Sequence, residues 1–523
     1  MTTGNGTQPG AATAPAPAAP VIVVGAGPVG LLLAGELRLG GSRVVVVDDR
    51  PGPTTESRAS TLHARTMEIL DSRGLLAELG VPANEPHGHY GGLPLDLSLP
   101  SSHPGQWKVS QTRTEELLQR RARALGADVL RGLRVRALAQ DATGVSVEAE
   151  AADGSVLRLR GRLLVGCDGE HSTVRRLVGA DLAGRGAGRE MLRADVRGVR
   201  IENRRFQRLP GGLAVAATRE GVTRVMVHEF GSTVRPRSGP PGFEEVAAVW
   251  KRVTGDDISG GTPLWLNSFG DANRQLTRYR HGRVLFAGDA AHQQMPVGGQ
   301  ALNLGLQDAF NLGWKLALEA GGRAPEGLLD SYHRERHETG RRVLANIRAQ
   351  SDLLLGGPEA EPLRALCGEL LALAPVREHL AAAIAGLDIR YEDGAGETPM
   401  LGRRLPPSVL DTGAGEVWTP ALLRSGRGLL LDLAPGATTA AAVVAGWTDR
   451  VVLARGRPRP GGALSSATAL LVRPDGHVAW VGGGTAADRW AGAHDALRRW
   501  FGPAARRKAS AAKGQEITAP IGT

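Results

Sequence analysis

Three glycine- and aspartate-bearing segments carry the residue types and spacing to hold a phosphorylated ligand. The first is Gly25-Ala26-Gly27-Pro28-Val29-Gly30, followed eighteen residues after its last glycine by an acid, Asp48. Glycines so spaced let backbone N–H groups approach a pyrophosphate, and a carboxylate at that distance accepts from the diol of a ribose. The second is Asp168-Gly169; the third is Gly288-Asp289, which leads to Pro296 and the pair Gly298-Gly299. Taken singly, an Asp-Gly pair is an ordinary turn. Metal chemistry is not expected: the two cysteines, Cys167 and Cys367, form no CxxC, no zinc spacing and no disulfide framework, and a reducing cytoplasm is the expected setting.

The elements before each segment explain how the three could meet. Val21–Val24 is a short β-branched run suited to a strand buried on both faces of a parallel sheet. Leu31–Leu39 reads as a helix with Pro28 in its first turn, where the missing N–H is tolerated, and Arg43–Val47 is the next buried strand, ending at Asp48. Arg162–Cys167 and Arg283–Ala287 are further apolar strands that end at the second and third segments. Ligands of open α/β sheets bind outside the carboxyl ends of strands, so three such ends imply one extended ligand touched at several points. The strand, turn, helix, strand, acid order marks a dinucleotide site, an opening that NAD and FAD enzymes share.

Composition narrows the class. A chain of 523 residues, 42% hydrophobic and 22% charged, is globular rather than disordered or fibrous. A net charge of +10 would suit nucleic acid, but only five of the 63 basic residues are lysine and the arginines are scattered. The nearest basic cluster is Arg506-Arg507-Lys508, so the arginine excess reads as the coding skew of a GC-rich genome and a solvated surface. Residues 1–20 hold no charged side chain and no apolar run, which predicts a disordered tail rather than a signal peptide. No stretch of about twenty apolar residues predicts a membrane span.

In order, Gly25–Gly30, Cys167-Asp168-Gly169 and Gly288-Asp289 resemble the FAD-dependent class A aromatic hydroxylases, the para-hydroxybenzoate hydroxylase-like flavoprotein monooxygenases. Within these, the likeness is to the aromatic polyketide hydroxylases and the related rifampicin monooxygenases. Glu56-Ser57-Arg58, Ala64–Glu68, Gly298–Asn303, Gln307–Lys315 and Leu470–Trp480 share it, so it runs from Val21 to about Trp500. The resemblance implies an α/β fold: a Rossmann-like, glutathione-reductase-type FAD-binding domain, an inserted β-sheet substrate domain and a C-terminal thioredoxin-like domain. After a tail at 1–20, FAD-binding parts would occupy 21–189 and 280–395, the first with substrate-domain strands near 85–112 and the second with long helices. The substrate sheet would occupy 190–279 and the thioredoxin-like unit 396–523; with no cysteine after Cys367, that unit is expected to do no redox exchange.

The same resemblance implies residue roles. Gly25, Gly27 and Gly30, with the backbone at Pro28 and Val29, would take the FAD pyrophosphate, and Asp48, beside Asp49, the adenosine ribose. Arg58 would reach the flavin phosphates, Gln111 the ribityl region, the backbone at Val135 the adenine, and Asp289, after Gly288, the ribityl hydroxyls. Asp168-Gly169 would serve both FAD and a visiting NADPH. Pro296, Gly298 and Gly299 would let the backbone pass close to a flat ring. A helix starting near Leu302 would aim its positive end at the flavin pyrimidine edge, with Asn303 and the amides of Ala301 and Leu302 as donors. Two departures from the family pattern are Ala301 for a usual glycine and Gln294 for a usual histidine.

The implied reaction is reduction of FAD by NADPH, addition of O2 at flavin C4a, and transfer of the hydroperoxide oxygen to a polycyclic aromatic polyketide in an antibiotic pathway. Baeyer–Villiger oxygenation or ring rearrangement, inactivation of a rifamycin-type drug, and a FAD module without oxygenase turnover stay open. No catalytic side chain is assigned, and a homodimer is compatible with the pattern. Leu192–Val199 and Val222–Phe230 alternate apolar and polar residues as half-buried antiparallel strands forming a floor beneath the substrate; Arg193, Arg224 and His228 are candidate pocket groups, with the solvent side of these strands the favoured reading. Leu328–Ala372 reads as one long helical stretch.

Overall fold

The computed structural model describes residues 19–55, 59–391, 398–434, 439–485 and 488–505. The expected tail and Arg58 therefore fall outside the described residues, except for residues 19 and 20. The chain opens with strand β1 (Val21–Val24), helix α1 (Pro28–Leu39) and strand β2 (Val44–Asp48). Strands β3 (Asp128–Arg131) and β4 (Leu163–Gly166) follow, separated by a three-stranded antiparallel excursion over residues 133–161. Strand β10 (Val284–Phe286) returns much later, giving a parallel order β10-β4-β1-β2-β3, with Arg280–His281 added antiparallel at the β10 edge. Every residue of β1, β2, β4 and β10 is buried. These are the apolar runs of a sheet covered on both faces.

Between β4 and β10 lie β5 (Glu190–Arg197), β6 (Arg204–Leu209), β7 (Gly212–Arg219), β8 (Val222–Glu229), helix α2 (Phe243–Thr254) and β9 (Thr262–Gly270). The five strands form one antiparallel sheet in the order β6-β7-β8-β5-β9. Leu192, Ala194, Val196, Ala214, Val225 and Val227 pack with Trp250 and its neighbours on α2. The alternation expected of Leu192–Val199 does not hold: residues 190–194 are buried without a break. The reason is that β5 lies between β8 and β9, with α2 on one face and Ile347, Leu354 and Leu355 against Met191 on the other. The strands near 85–112 stand apart from this sheet: Gln106–Lys108 pairs with Thr61–His63 and with Asn84–Glu85, and His87–Tyr90 forms a hairpin with Leu93–Asp96.

After β10 come helix α3 (Gln300–Ala320), helix α4 (Leu328–Leu355) and helix α5 (Glu361–Leu371). The helical stretch expected over Leu328–Ala372 is present, with a break at Gly356-Gly357-Pro358. Pro358 disfavours helical backbone in the residue before it, and Gly356 turns out into extended conformation. The C-terminal unit holds β11 (Gly428–Asp432), α6 (Ala440–Val444), β12 (Val451–Arg455), β13 (Ala469–Val472), β14 (Val478–Val481) and α7 (Ala493–Phe501). Its sheet runs β12-β11-β13-β14, with β11 and β12 parallel and the other pairs antiparallel. Trp447, Leu497, Trp500 and Phe501 pack there against Trp314 and Leu318 of α3. Among the described residues no helix is long and apolar enough to cross a membrane, and no group of three His, Cys, Asp or Glu side chains is placed to hold a metal ion.

Candidate functional site

The carboxyl ends of β1, β4 and β10 meet through atoms that leave no room for side chains. Gly25 has a left-handed φ of 107°, and a Cβ there would lie 2.3 Å from the Cys167 carbonyl oxygen at the end of β4. At Gly30 it would lie 2.0 Å from the carbonyl oxygen of Gly25, and at Gly288, past β10, 3.1 Å from Val29. Gly27 is different, because no atom lies within 4 Å of its Cβ position. Gly27 caps α1 with no side-chain hydrogen bond, and Pro28 stands in the first turn. The positive end of α1 is thus left uncapped beside open space, an arrangement that suits an anion.

Asp48 ties this turn down. Its Oδ2 accepts from the Ala26 amide at 2.6 Å and its Oδ1 from the Arg50 amide at 3.0 Å. Asp49 is exposed, 3.9 Å from Arg134. Gln111 holds residue 59, next to the Arg58 position, by its backbone N–H donating to the Ala59 carbonyl at 2.8 Å and by its Oε1 accepting from the Ala59 N–H at 3.3 Å. Val135 is buried, its backbone paired with Ala149, and the Gly132 amide just before this strand reaches the Arg50 carbonyl at 3.0 Å. Asp168 accepts from the Ser172 hydroxyl at 2.6 Å and from the Val174 amide at 3.0 Å, so its carboxylate caps the short helix Thr173–Leu177. Burial raises its pKa. Gly169, left-handed at φ 76°, opens on space, and Asp289 is exposed.

Helix α3 begins at Gln300, two residues before the expected start, because Gly298 and Gly299 are both left-handed (φ 65° and 67°) and turn the chain straight into it. Its position is fixed by close approach. A Cβ on Gly313 would lie 2.4 Å from the Glu36 Cβ of α1, and one on Gly305 would lie 3.0 Å from the Gly288 Cα. No side chain caps its N-terminus, where Ala301 and Leu302 are half-buried and Pro296 is exposed. Asn303 uses its whole side chain inside the protein. Its Nδ2 donates to the Thr61 and Gly299 carbonyls at 3.1 and 2.7 Å, and its Oδ1 accepts from the His63 amide and the Thr66 hydroxyl at 2.9 and 2.7 Å. That side chain is a staple between two loops, and the N–H groups left without intrahelical partners are those of the residues before it, up to Leu302.

His63 belongs to this site and carries no sequence signal beyond its place before Ala64–Glu68. Its Nε2 lies 2.7 Å from the Gly298 carbonyl oxygen, and burial lowers its pKa to about 4. The imidazole is therefore neutral near pH 7 and donates to Gly298. Burial likewise lowers His89 and His477 to about 4. The unfolded chain takes up protons below about pH 6.5 that these folded sites refuse until about pH 4, so stability falls across that window, by on the order of 3 kcal/mol for His63. Melting temperature measured from about pH 7 down to pH 4 is expected to drop steeply, and His63→Gln to flatten the drop; a flat wild-type profile contradicts this.

The antiparallel sheet adds the remaining wall. Arg193, Arg224 and His228 share its face opposite α2, and only Arg224, half-buried, keeps part of the expected solvent exposure. Arg193 and His228 are buried, and Arg224 pairs with Asp195 at 2.7 Å. The Arg193 guanidinium lies 4.3 Å from the Trp265 ring centre, and the His228 Nδ1 is 2.8 Å from the Glu190 carbonyl oxygen. Strand alternation cannot reveal this burial, because α4 and the loop before α3 supply the cover. There Met191 and Leu213 pack with Met295 and Val297 of the loop, and Phe206, Met226, Phe269 and Val343 stand half-buried around them. Phe206 has a left-handed φ of 46° at a bulge in β6, and its ring centre is 4.1 Å from that of His89. A bulky residue in that conformation is strained, and bulges re-aim side chains.

Comparison with known proteins adds matches to two family models, two relatives and a solved structure. Residues 18–347 match the FAD binding domain family, and residues 398–504 match the aromatic-ring hydroxylase C-terminal family. The chain is 42% identical over 509 residues to the 12-dehydrotetracycline 5-monooxygenase/anhydrotetracycline 6-monooxygenase of Streptomyces rimosus, covering 93% of this chain and 99% of that one. It is 41% identical to the rifampicin monooxygenase of Streptomyces venezuelae, covering 88% and 95%. The crystal structure of CabE, an aromatic hydroxylase from angucycline biosynthesis, superposes with a TM-score of 0.88 at 48% identity, covering 93% of this chain and all of that one.

Proposed function

The chain belongs to the FAD-dependent aromatic-ring hydroxylases and is a flavoprotein monooxygenase, and from that premise we propose that it hydroxylates a polycyclic aromatic polyketide in antibiotic biosynthesis. The observation that carries this reading is a pair of uncapped helix N-termini, on α1 and α3, with an aromatic- and methionine-rich sheet face packed on the loop that leads into α3. The donor set fits FAD: a pyrophosphate over Gly25, Gly27 and Gly30, a ribose at Asp48, and a flat ring along Gly298 and Gly299. Bound FAD would supply the two-electron chemistry that lets O2 react at flavin C4a, with NADPH as the visiting reductant.

The protein's own residues do the rest. The first turn of α3 places its backbone N–H groups where negative charge would gather at the pyrimidine edge. His63 and Asn303 hold Gly298 and Gly299 in the conformation that lets backbone approach a ring. Arg58, Gln111, Val135, Gly169 and Asp289 would keep the roles given above, while Asp168 would act through its backbone, since its carboxylate caps a helix. The substrate would lie along the half-buried Phe206, Met226 and Phe269, beside the loop that carries Met295 and Val297, where apolar side chains exclude water. Residues 190–279 would be the substrate domain. The order β12-β11-β13-β14 with its parallel and antiparallel pairs supports a thioredoxin-like C-terminal unit.

Purified protein is expected to be yellow, to oxidise NADPH faster when a tetracyclic aromatic ligand is present, and to add one oxygen atom to that ligand by mass spectrometry. Protein that takes up no FAD overturns the reading. Ligand turnover without O2 consumption replaces it with a non-oxygenase activity.

A further inference from the structure

A line of buried polar contacts joins the C-terminal unit to the loop before α3. It starts at the turn Arg473–His477, where the His477 ring lies 4.3 Å from the Tyr391 ring, centre to centre. The Tyr391 hydroxyl oxygen accepts from Arg336 Nη1 at 3.2 Å. Arg336 in turn donates from Nε to Asp308 Oδ1 at 2.7 Å and from Nη2 to the Leu304 carbonyl, in the first turns of α3, at 3.2 Å. The other Asp308 oxygen lies 2.8 Å from His292 Nε2 and accepts from the Gly288 amide at 3.1 Å. Arg336, Asp308 and His292 have no exposed surface. His292 opens the strand that leads into Pro296–Gly299, and its Nδ1 is 3.2 Å from Gln294.

Three ends of this line are backbone or loop atoms of the proposed flavin site: the Gly288 amide, the Leu304 carbonyl and His292. A buried carboxylate holding two cation-capable partners has a narrow choice of geometry, so a shift at Arg336 is passed to all three. We infer that the turn Arg473–His477 and Tyr391 position the flavin-facing loop through Arg336 and Asp308, making the C-terminal unit a working part of the oxygenation site. This rests on the FAD reading given above. Tyr391, Arg336 and Asp308 are positioning residues and touch no reacting atom.

The docking of the unit does not depend on the Tyr391 hydroxyl. Arg73 donates to the Leu423 and Pro474 carbonyls at 2.8 and 2.9 Å, and Arg473 grips Glu335 of α4 at 2.6 Å. Tyr391→Phe removes one oxygen from the line and leaves these bonds in place. In the full-length holoenzyme, Tyr391→Phe and Arg336→Lys are expected to shift the visible flavin spectrum and to raise several-fold the fraction of NADPH that yields hydrogen peroxide instead of hydroxylated product. A wild-type spectrum, FAD Kd and product-to-NADPH ratio in Tyr391→Phe overturn the inference, whatever its melting temperature and whether or not Arg336→Lys folds. Wild-type protein that binds no FAD overturns the FAD reading itself, and this inference with it.

Discussion

Gly30→Ala is expected to purify without flavin. The new methyl group would sit 2.0 Å from the Gly25 carbonyl oxygen and 3.2 Å from Val23 Cγ1, and a backbone oxygen in a packed turn has nowhere to go. Gly25→Ala carries two faults, a 2.3 Å clash with the Cys167 carbonyl and a left-handed φ of 107°. Overpacking costs about 1–3 kcal/mol and the left-handed conformation about 1–2 kcal/mol more. Relaxing either strain moves the amides aimed at the phosphates, so FAD affinity should fall at least about 100-fold, or roughly 2.7 kcal/mol. Gly27→Ala separates fold from ligand. Its methyl meets no protein atom within 4 Å, so the fold should survive with wild-type melting while flavin affinity drops. Titration of apoprotein with FAD measures all three, and wild-type affinity in Gly30→Ala would refute the assignment of this turn.

Glu335→Leu is expected to cost the fold about 3–5 kcal/mol of stability. Glu335 accepts from Lys315 Nζ at 2.7 Å, from Asn311 at 2.7 Å and from both terminal nitrogens of Arg473, which also pairs with Asp475. Burial lowers the Lys315 pKa to about 8, while Arg473 and Lys315 together hold Glu335 down to about 2. With Glu335 gone, two buried cations share one remaining carboxylate, and breaking such a cluster costs about 3–5 kcal/mol. Lys315→Met in the same chain should restore part of that loss. The stability that Glu335 supplies is complete above its unfolded pKa of 4.5 and is lost as pH falls towards about 2. The exposed pair Lys251–Asp257, 2.8 Å apart, is the control, since surface pairs contribute only about 0–1 kcal/mol. A Glu335→Leu protein melting like an Asp257→Ala protein would contradict this account.

The parts of the site that are legible in the sequence are those written within a few residues. Val21–Asp48 declares its two strands, its turn and its helix because apolar runs and glycine spacing are local. The contacts that hold the site are not. Asn303 meets Thr61 across 242 positions, and Arg336 meets Asp308 across 28, with no periodicity to announce either. Arg193 and His228 look like solvent-side residues because alternation tells which residues share a face, not what covers that face. The break in the helix after Leu355 was written in Gly356-Gly357-Pro358, but helical patterning continues on both sides and masks it.

The turn Arg473–His477 completes charges laid down far earlier in the chain. During synthesis Lys315 and Glu335 leave the ribosome well over a hundred residues before Arg473 and Asp475 exist to pair with them. A chain lacking that turn would leave Lys315 and Glu335 without Arg473 and Asp475, and the ion pairs that close this face of α3 would be half made.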